Sequence, residues 1–89
     1  MVSKKELRIE VLMLAEEIHV KPQQIRIRAM KSKIGSCSPG KILTFNSSVL
    51  DLDYSSRKEV IVHELLHLRY RNHGKVFKIM LQSYMAGKK

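Results

Sequence analysis

The chain has 89 residues, of which 44% are apolar and 6% are aromatic, and it contains no Trp. This length predicts a single domain over residues 1–89 with one small core, for which a bound metal or partner often supplies stability. One Cys cannot form an internal disulfide, which excludes a disulfide-built secreted scaffold and favours a reducing, cytoplasmic compartment. No apolar run approaches the roughly 20 residues that a membrane-spanning helix needs, so no membrane insertion is expected.

Basic residues dominate the charge of the chain. The 17 Lys and Arg against 8 Asp and Glu give a formal net charge of +9. No acidic residue lies between Glu17 and Asp51, and none follows Glu64. Such a surface attracts polyanions, so nucleic acid is a candidate partner, with a solubilising face as the alternative. The candidate surface consists of Arg26, Arg28, Lys31 and Lys33.

An amphipathic helix is predicted at the N-terminus. Ser3 and Glu6 have the spacing of a capping box, in which each side chain accepts a hydrogen bond from the other residue's backbone N–H. The helix should end before Pro22, which places His19 at its end as a cap or exposed residue rather than a metal ligand. Its apolar stripe consists of Leu7, Val11, Leu14 and Ile18.

Strand-like segments follow this helix. Ile25 and Ile27 alternate with basic residues from Gln24 onward, as in a half-buried strand, and Lys41–Asn46 has strand composition. The turn residues of Gly35–Gly40 separate the two segments, which predicts a hairpin in a short antiparallel sheet. Within this turn, Cys37 is interpreted as a small residue in tight backbone geometry rather than a thiol near a metal.

Two further helices complete the predicted order α-β-β-α-α, an α+β fold. Ser56 and Glu59 repeat the capping-box spacing and should open a helix that is apolar on nearly every side, which predicts a central position. Gly87 lies where a C-terminal cap of the last helix is expected. The apolar stripe of that last helix consists of Val76, Phe77, Met80, Leu81 and Tyr84.

The HExxH motif, His63-Glu64-Leu65-Leu66-His67, carries the predicted chemistry. Residues four apart on an α-helix differ by about 40° in direction and about 6 Å in rise, so both imidazoles can bind one ion. Glu64 lies beside them, where its carboxylate can take a proton from metal-bound water. This arrangement indicates metal-assisted amide hydrolysis.

His73 is the candidate third ligand, since catalytic zinc usually has three protein ligands and one open position. On a continuous helix His73 would lie about 15 Å along the axis from His63, too far to share an ion. The helix must therefore break first, and Asn72 and Gly74 are residues that readily adopt the left-handed conformation. The predicted ligands of a Zn²⁺ ion are His63, His67 and His73.

From Gln24 to Tyr84 the sequence resembles the YgjP-like metallopeptidase domain, a zincin relative of the SprT-like proteins. The resemblance implies a small zincin-like fold, zinc bound by the two motif histidines and the later His73, Glu64 as general base, and a peptide or protein substrate. It rests on Ile25-Arg26-Ile27-Arg28, Met30-Lys31, Gly35-Ser36-Cys37-Ser38, Leu43-Thr44-Phe45-Asn46, Val62-His63-Glu64-Leu65-Leu66-His67-Leu68, Asn72-His73-Gly74 and Phe77.

Substrate binding is expected by strand addition to a sheet edge above the metal, as in zincins generally, and Lys41–Asn46 is the candidate edge strand. The sequence does not assign a group that stabilises the oxyanion. The candidates are Tyr54, Tyr70, Arg71 and Tyr84.

Two other functions remain open at this point. The spacing of the three histidines resembles that of the YbeY-like zinc-dependent ribosomal-RNA endonucleases, which have Gly beside the first ligand where this chain has Glu64. Alternatively, zinc only stabilises a nucleic-acid-associated binding module without turnover. That module predicts a closed four-ligand site, for which only Cys37 and His19 could supply the fourth ligand.

Overall fold

Three helices and three strands make up the fold in a computed structural model, which describes residues 1–86. The α+β class and the predicted order of the three helices are confirmed, with one additional strand and a short 3₁₀ helix. No helix in residues 1–86 combines the length and apolar character needed to cross a membrane. The elements are α1 (Lys4–Ile18), β1 (Gln24–Arg28), β2 (Gly35–Cys37), β3 (Ile42–Asn46), the 3₁₀ helix (Ser47–Asp51), α2 (Tyr54–Leu66) and α3 (Lys75–Met85).

Helix α1 forms as the sequence predicts. The Ser3 N–H donates to Glu6 Oε1 at 2.8 Å and the Glu6 N–H donates to Ser3 Oγ at 3.0 Å, which completes the capping box. His19 ends the helix in the left-handed conformation, with φ of 64°, and its N–H donates to the last turn. The predicted stripe of Leu7, Val11, Leu14 and Ile18 is buried.

The sheet has the strand order β1-β3-β2, so β3 is the central strand. It pairs antiparallel with β2 and parallel with β1, and the prediction of a purely antiparallel sheet is therefore wrong. The hairpin exists, but its first strand is β2, which lies inside the segment predicted as a turn. Strand β2 occupies one side of β3 and β1 the other, where β1 and β3 run in the same direction.

The chain between β1 and β2 is held by one side chain. The Asn46 side-chain amide donates to the carbonyl oxygens of Met30 at 2.9 Å and Lys33 at 2.8 Å.

Consecutive burial of Leu43, Thr44 and Phe45 shows that β3 is covered on both faces, as is usual for a central strand.

The N-cap of helix α2 lies three residues before the predicted cap. Asp53 is the N-cap and accepts a hydrogen bond from the Ser56 N–H at 3.3 Å, so the predicted Ser56–Glu59 capping box is wrong. Hydrogen bonds from Ser56 lower the pKa of Asp53, which keeps the capping carboxylate ionised.

The central position predicted for α2 is confirmed, because α2 contacts α1, β2 and α3. In α3, Phe77 is buried as predicted, whereas Val76 is 55% exposed and faces away from the core. Helix α3 ends at Met85 with Ala86 as its C-cap, and the predicted cap at Gly87 lies outside the described residues. The residues that α2 contributes to the core are Ile61, Val62, Leu65 and Leu66.

An ion pair joins α1 to α2. The Arg57 guanidinium donates to both carboxylate oxygens of Glu10, at 2.6 and 2.7 Å, and to the Leu52 carbonyl at 2.9 Å. The Arg57 side chain is 8% exposed and the Glu10 side chain 23% exposed. Removal of one partner therefore leaves a charge that is largely withdrawn from water.

We predict that Glu10→Gln lowers the free energy of unfolding by about 2 kcal/mol, because the buried Arg57 loses its counter-ion. Urea denaturation measures the change. Glu17→Gln is the matched control, since Glu17 is exposed on the same helix, and it should change stability by less than about 0.5 kcal/mol. Equal effects of the two variants would contradict a stabilising role for the pair.

Candidate active site

The end of α2 presents the three polar residues of the HExxH motif. His63 and Glu64 lie in the last turn, and His67 is the C-cap. The two histidines are half-buried, whereas Glu64 is only 5% exposed. The predicted common direction of the two imidazoles is confirmed, because their ring centroids lie 4.8 Å apart.

The chain breaks away from the helix axis earlier than predicted. Helix α2 ends at Leu66, whose carbonyl accepts hydrogen bonds from the Arg69 and Tyr70 N–H groups at 3.0 and 2.8 Å. Within residues 1–86, the left-handed conformation of a non-glycine residue occurs only at His19 and Lys41, so the predicted left-handed Asn72 is wrong. The break results instead from short-range hydrogen bonds that tighten the last turn of the helix.

This break brings His73 back to the two α2 histidines. Its ring centroid lies 4.9 Å from that of His63 and 4.7 Å from that of His67. One ligand nitrogen from each ring can be chosen so that all three lie within 4.8 Å of one another. The structure therefore assembles the three histidines that the sequence indicated.

A hydrogen bond to the backbone orients the His67 ring. Its Nδ1 lies 3.2 Å from the Tyr70 carbonyl oxygen, which can only accept, so Nδ1–H donates and Nε2 keeps its lone pair. That Nε2 lies 2.9 Å from Nε2 of His73. Nitrogens bound to one tetrahedral zinc ion are about 3.3 Å apart. The three ligand nitrogens, which lie within 4.8 Å of one another, are thus close enough to bind a single metal ion after side-chain adjustment.

Phe77 supports the cluster from α3. Its ring centroid lies 5.3, 4.9 and 4.7 Å from those of His63, His67 and His73, respectively. The helical periodicity indicated only a core residue at this position. The structure adds a second role, because the ring packs against all three imidazoles and restricts their rotation.

Glu64 lies between His63 and strand β2. Its Oε2 is 3.3 Å from Nδ1 of His63. A Cβ atom at Gly35 would lie 3.2 Å from Cγ and 3.3 Å from Oε2 of Glu64, and 3.3 Å from the Thr44 carbonyl oxygen. Gly35 therefore leaves the space that the Glu64 side chain occupies, a requirement that the turn-like sequence around Gly35 did not reveal.

A cleft of about 770 Å³ lies in front of this cluster, between β2 and the end of α2. The predicted edge strand, Lys41–Asn46, is wrong because β3 is paired on both sides. The strand at the cleft is β2, whose outer side is unpaired within residues 1–86. Sequence reasoning missed β2 because its three residues, Gly35–Cys37, have neither β-branched nor aromatic side chains.

The free edge of β2 exposes backbone groups at alternate residues. Ile34 and Ser38 flank the strand and bond to Asn46 and Ile42, respectively, at 2.9 and 3.0 Å. By the alternation of an antiparallel ladder, the N–H and C=O groups of Gly35 and Cys37 point away from β3. These groups are available for pairing with an added strand.

The other candidate residues lie in different places. Cys37 lines the cleft, where burial raises the pKa of its thiol and the Glu64 carboxylate raises it further. Neither Cys37 nor His19 belongs to the histidine cluster in residues 1–86. Of the four candidates for oxyanion stabilisation, Arg71 is the one that lines the cleft. The other three are Tyr54, which is exposed, and Tyr70 and Tyr84, which are half-buried.

The fold and the histidine cluster define a small metallopeptidase-type domain, and comparison with known proteins agrees. The YgjP-like metallopeptidase domain model matches residues 2–89, so the chain belongs to that family and is a metallopeptidase. The resemblance seen in the sequence is thereby confirmed, and family membership implies a metal ion and a peptide or protein substrate.

Two solved structures are similar to the chain. The metallopeptidase zymogen jannalysin of Methanocaldococcus jannaschii has a TM-score of 0.73 and 32% identity, covering 94% of this chain and 83% of that chain. The metallopeptidase zymogen abylysin of Pyrococcus abyssi has a TM-score of 0.75 and 21% identity, covering 85% of this chain and 76% of that chain. The second similarity shows the fold alone. No curated protein sequence matches the chain.

We predict that His73→Ala abolishes stoichiometric binding of a divalent metal ion, because it removes one of three clustered ligands. Metal saturation should raise the melting temperature of the unchanged protein by about 10 °C or more, and the variant should lose most of this increase. Metal analysis and thermal melting with and without chelator measure both effects. His19→Ala is the control and should retain the ion. Retention by His73→Ala would contradict the third ligand.

Proposed function

We propose that this metallopeptidase uses zinc, with His63, His67 and His73 as ligands and Glu64 as general base, and that residues 1–89 form one catalytic domain. The observation that carries the proposal is the convergence of three histidine nitrogens within 4.8 Å beside a buried carboxylate and a strand edge. A reducing, cytoplasmic location is inferred from the single free Cys37.

Zinc is the metal that suits this donor set. Three neutral imidazoles and an open position are typical of catalytic zinc sites, whereas structural sites usually have four protein ligands. When bound, zinc supplies a Lewis acid that activates water and polarises a carbonyl. Absence of Cys37 and His19 from the cluster in residues 1–86 favours an open site over the closed binding module.

Glu64 is the residue that moves the proton. One carboxylate oxygen of Glu64 accepts a proton from the attacking water while the water oxygen forms a bond to the carbonyl carbon of the substrate. The carboxylic acid then returns this proton to the amide nitrogen, so the C–N bond breaks and an amine leaves. Contact with His63 on one side and Gly35 on the other holds the Glu64 carboxylate in the cleft.

The edge of β2 orients the substrate. An extended peptide can pair its backbone with the outward N–H and C=O groups of Gly35 and Cys37, which fixes its direction across the cleft. Since Gly35 also contacts Glu64, the residue that pairs with the substrate adjoins the proposed base. A peptide paired with Gly35 would therefore have its scissile bond close to the Glu64 carboxylate.

The ribonuclease alternative is less well supported. Family membership favours a peptidase. Glu64 also occupies the position where the ribonucleases with the same histidine spacing have Gly. A paired strand edge suits a peptide backbone, which carries alternating donors and acceptors. An RNA backbone has no such pattern.

We predict that Glu64→Gln preserves the fold and zinc content and lowers the rate of peptide hydrolysis about 10²-fold or more, because an amide cannot accept the proton. An unfolded protein substrate under matched zinc measures the rate. A structured RNA is followed in parallel with both proteins. Equal RNA cleavage by both proteins, without hydrolysis of any peptide bond, would replace the peptidase proposal with the nuclease.

We also predict that Gly35→Ala lowers kcat about tenfold with unchanged zinc content, since the added methyl group must displace the Glu64 side chain. Steady-state kinetics and metal analysis measure this. Gly40→Ala is the matched control, because its Cβ would contact only Ile42 Cδ1, at 4.0 Å. If both variants retain full kcat, close contact of Gly35 with Glu64 does not position the base.

A further inference from the structure

Four basic side chains surround the cleft that His63, Glu64 and His67 line. Lys33 precedes strand β2 and Lys41 follows the hairpin turn, so they lie at the two ends of the free edge. Arg69 and Arg71 lie in the segment after α2 and form the opposite wall. A strand added to β2 would therefore pass between positive charges on both sides.

These cations have no acidic partners in the cleft. Glu64 is the one carboxylate that lines it within residues 1–86, and this side chain is 5% exposed and contacts His63. The ion pairs found in those residues, Arg57–Glu10 and His63–Glu64, involve none of the four cations. The field of Lys33 and Arg71 is therefore available to a ligand, whereas Lys41 and Arg69 also line a neighbouring cavity that contains Glu16.

Position and rigidity make this arrangement more than general surface charge. The Arg69 guanidinium donates to the Ile18 carbonyl oxygen at 3.1 Å, which fixes it beside the cleft. Lys33 and Ser38 flank β2 and can be at most about 17 Å apart, and the Lys41 N–H donates to the Ser38 carbonyl. A peptide paired with β2 would thus bring residues two or three positions before and after its midpoint close to these cations.

We infer that the substrates of this enzyme are polypeptide segments with Asp or Glu on both sides of the scissile bond, selected by Lys33, Lys41, Arg69 and Arg71. This inference rests on the proposed peptidase function and adds the substrate class. The two lysines would pair with acidic side chains at the ends of the added strand, and the arginines with those facing α2. Opposite charges would strengthen binding and speed association.

An acidic peptide fits the cleft better than a nucleic acid of the same charge. The edge of β2 offers donors and acceptors at the spacing of a peptide strand, which a sugar–phosphate backbone does not match. Arg26 and Arg28 lie on β1, at the opposite edge of the sheet from the cleft. The charges that surround the histidines therefore belong to the peptide-binding side.

The test uses three peptides that share a central sequence and carry Glu, Gln or Lys two and three residues from the scissile bond. With zinc-loaded protein, kcat/KM should be about tenfold higher for the Glu peptide than for the Gln peptide, and lower still for the Lys peptide. High salt should reduce this preference to about twofold. Equal kcat/KM for all three peptides would overturn the inference and leave the peptidase function standing.

Charge reversal identifies the residues responsible. The double variant Lys33→Glu with Arg71→Glu should abolish or invert the ratio of kcat/KM between the Glu and Gln peptides. The matched control, Lys5→Glu with Arg28→Glu, changes the net charge equally at exposed positions outside the cleft and should retain the ratio. Loss of the preference in both variants would show that net charge, and not the cleft, selects the peptide.

A binding measurement separates failure of this inference from failure of the proposed function. Labelled forms of the three peptides and a single-stranded RNA are titrated into the zinc-loaded Glu64→Gln protein. Tighter binding of the Glu peptide, lost when Lys33 and Arg71 are reversed, supports the inference even if the unchanged protein cleaves no peptide. Tighter binding of the RNA with the same dependence on these residues would overturn it in favour of a nucleic-acid ligand.

Discussion

The fold depends on the burial of helix α2, whose last turn carries polar residues. Helix α2 contributes Ile61, Val62, Leu65 and Leu66 to the core, and the same helix presents His63 and Glu64 in its last turn. Buried polar groups destabilise a protein unless they find partners. Every buried side-chain nitrogen and oxygen in residues 1–86 has a partner. In this small domain, one interhelical ion pair and a cluster of metal-ligand side chains satisfy the polar groups of the central helix. Stability and the proposed chemistry therefore depend on the same helix.

Helix α3 and strand β2 contact the polar end of α2 on two different sides. Phe77 of α3 packs against the three imidazoles, and Gly35 of β2 lies against the Glu64 side chain. The cleft between β2 and the end of α2 leaves His63, Glu64 and His67 accessible from a third side. The large Phe77 and the small Gly35 therefore act together, since one restricts the histidines and the other leaves space for the carboxylate.

Local patterns predicted the parts of the fold that local physics determines. The Ser3–Glu6 capping box, the apolar stripe of α1 and the shared direction of His63 and His67 each follow from helix geometry alone. Strand β2 escaped prediction because its residues are small and polar, and its conformation comes from pairing with β3. The parallel pairing of β1 and the early end of α2 likewise depend on contacts between distant segments. Sequence spacing thus indicated the residues of the proposed site, whereas the strand edge proposed to bind the substrate could be identified only from the tertiary structure.

The segment from His67 to His73 links the proposed metal site to the proposed selection of substrates by charge. It must turn sharply after Leu66 so that His73 reaches the other histidines, and this turn places Arg69 and Arg71 on the wall of the cleft. Its backbone also contributes, because the Tyr70 carbonyl orients the His67 ring. A residue inserted in or deleted from this segment would move the third histidine, the carbonyl that orients the second and both arginines together. A change in the length of this segment would therefore alter metal binding and the proposed selection of charged substrates together. We expect the length of the segment to be constrained more tightly than the identity of its exposed residues.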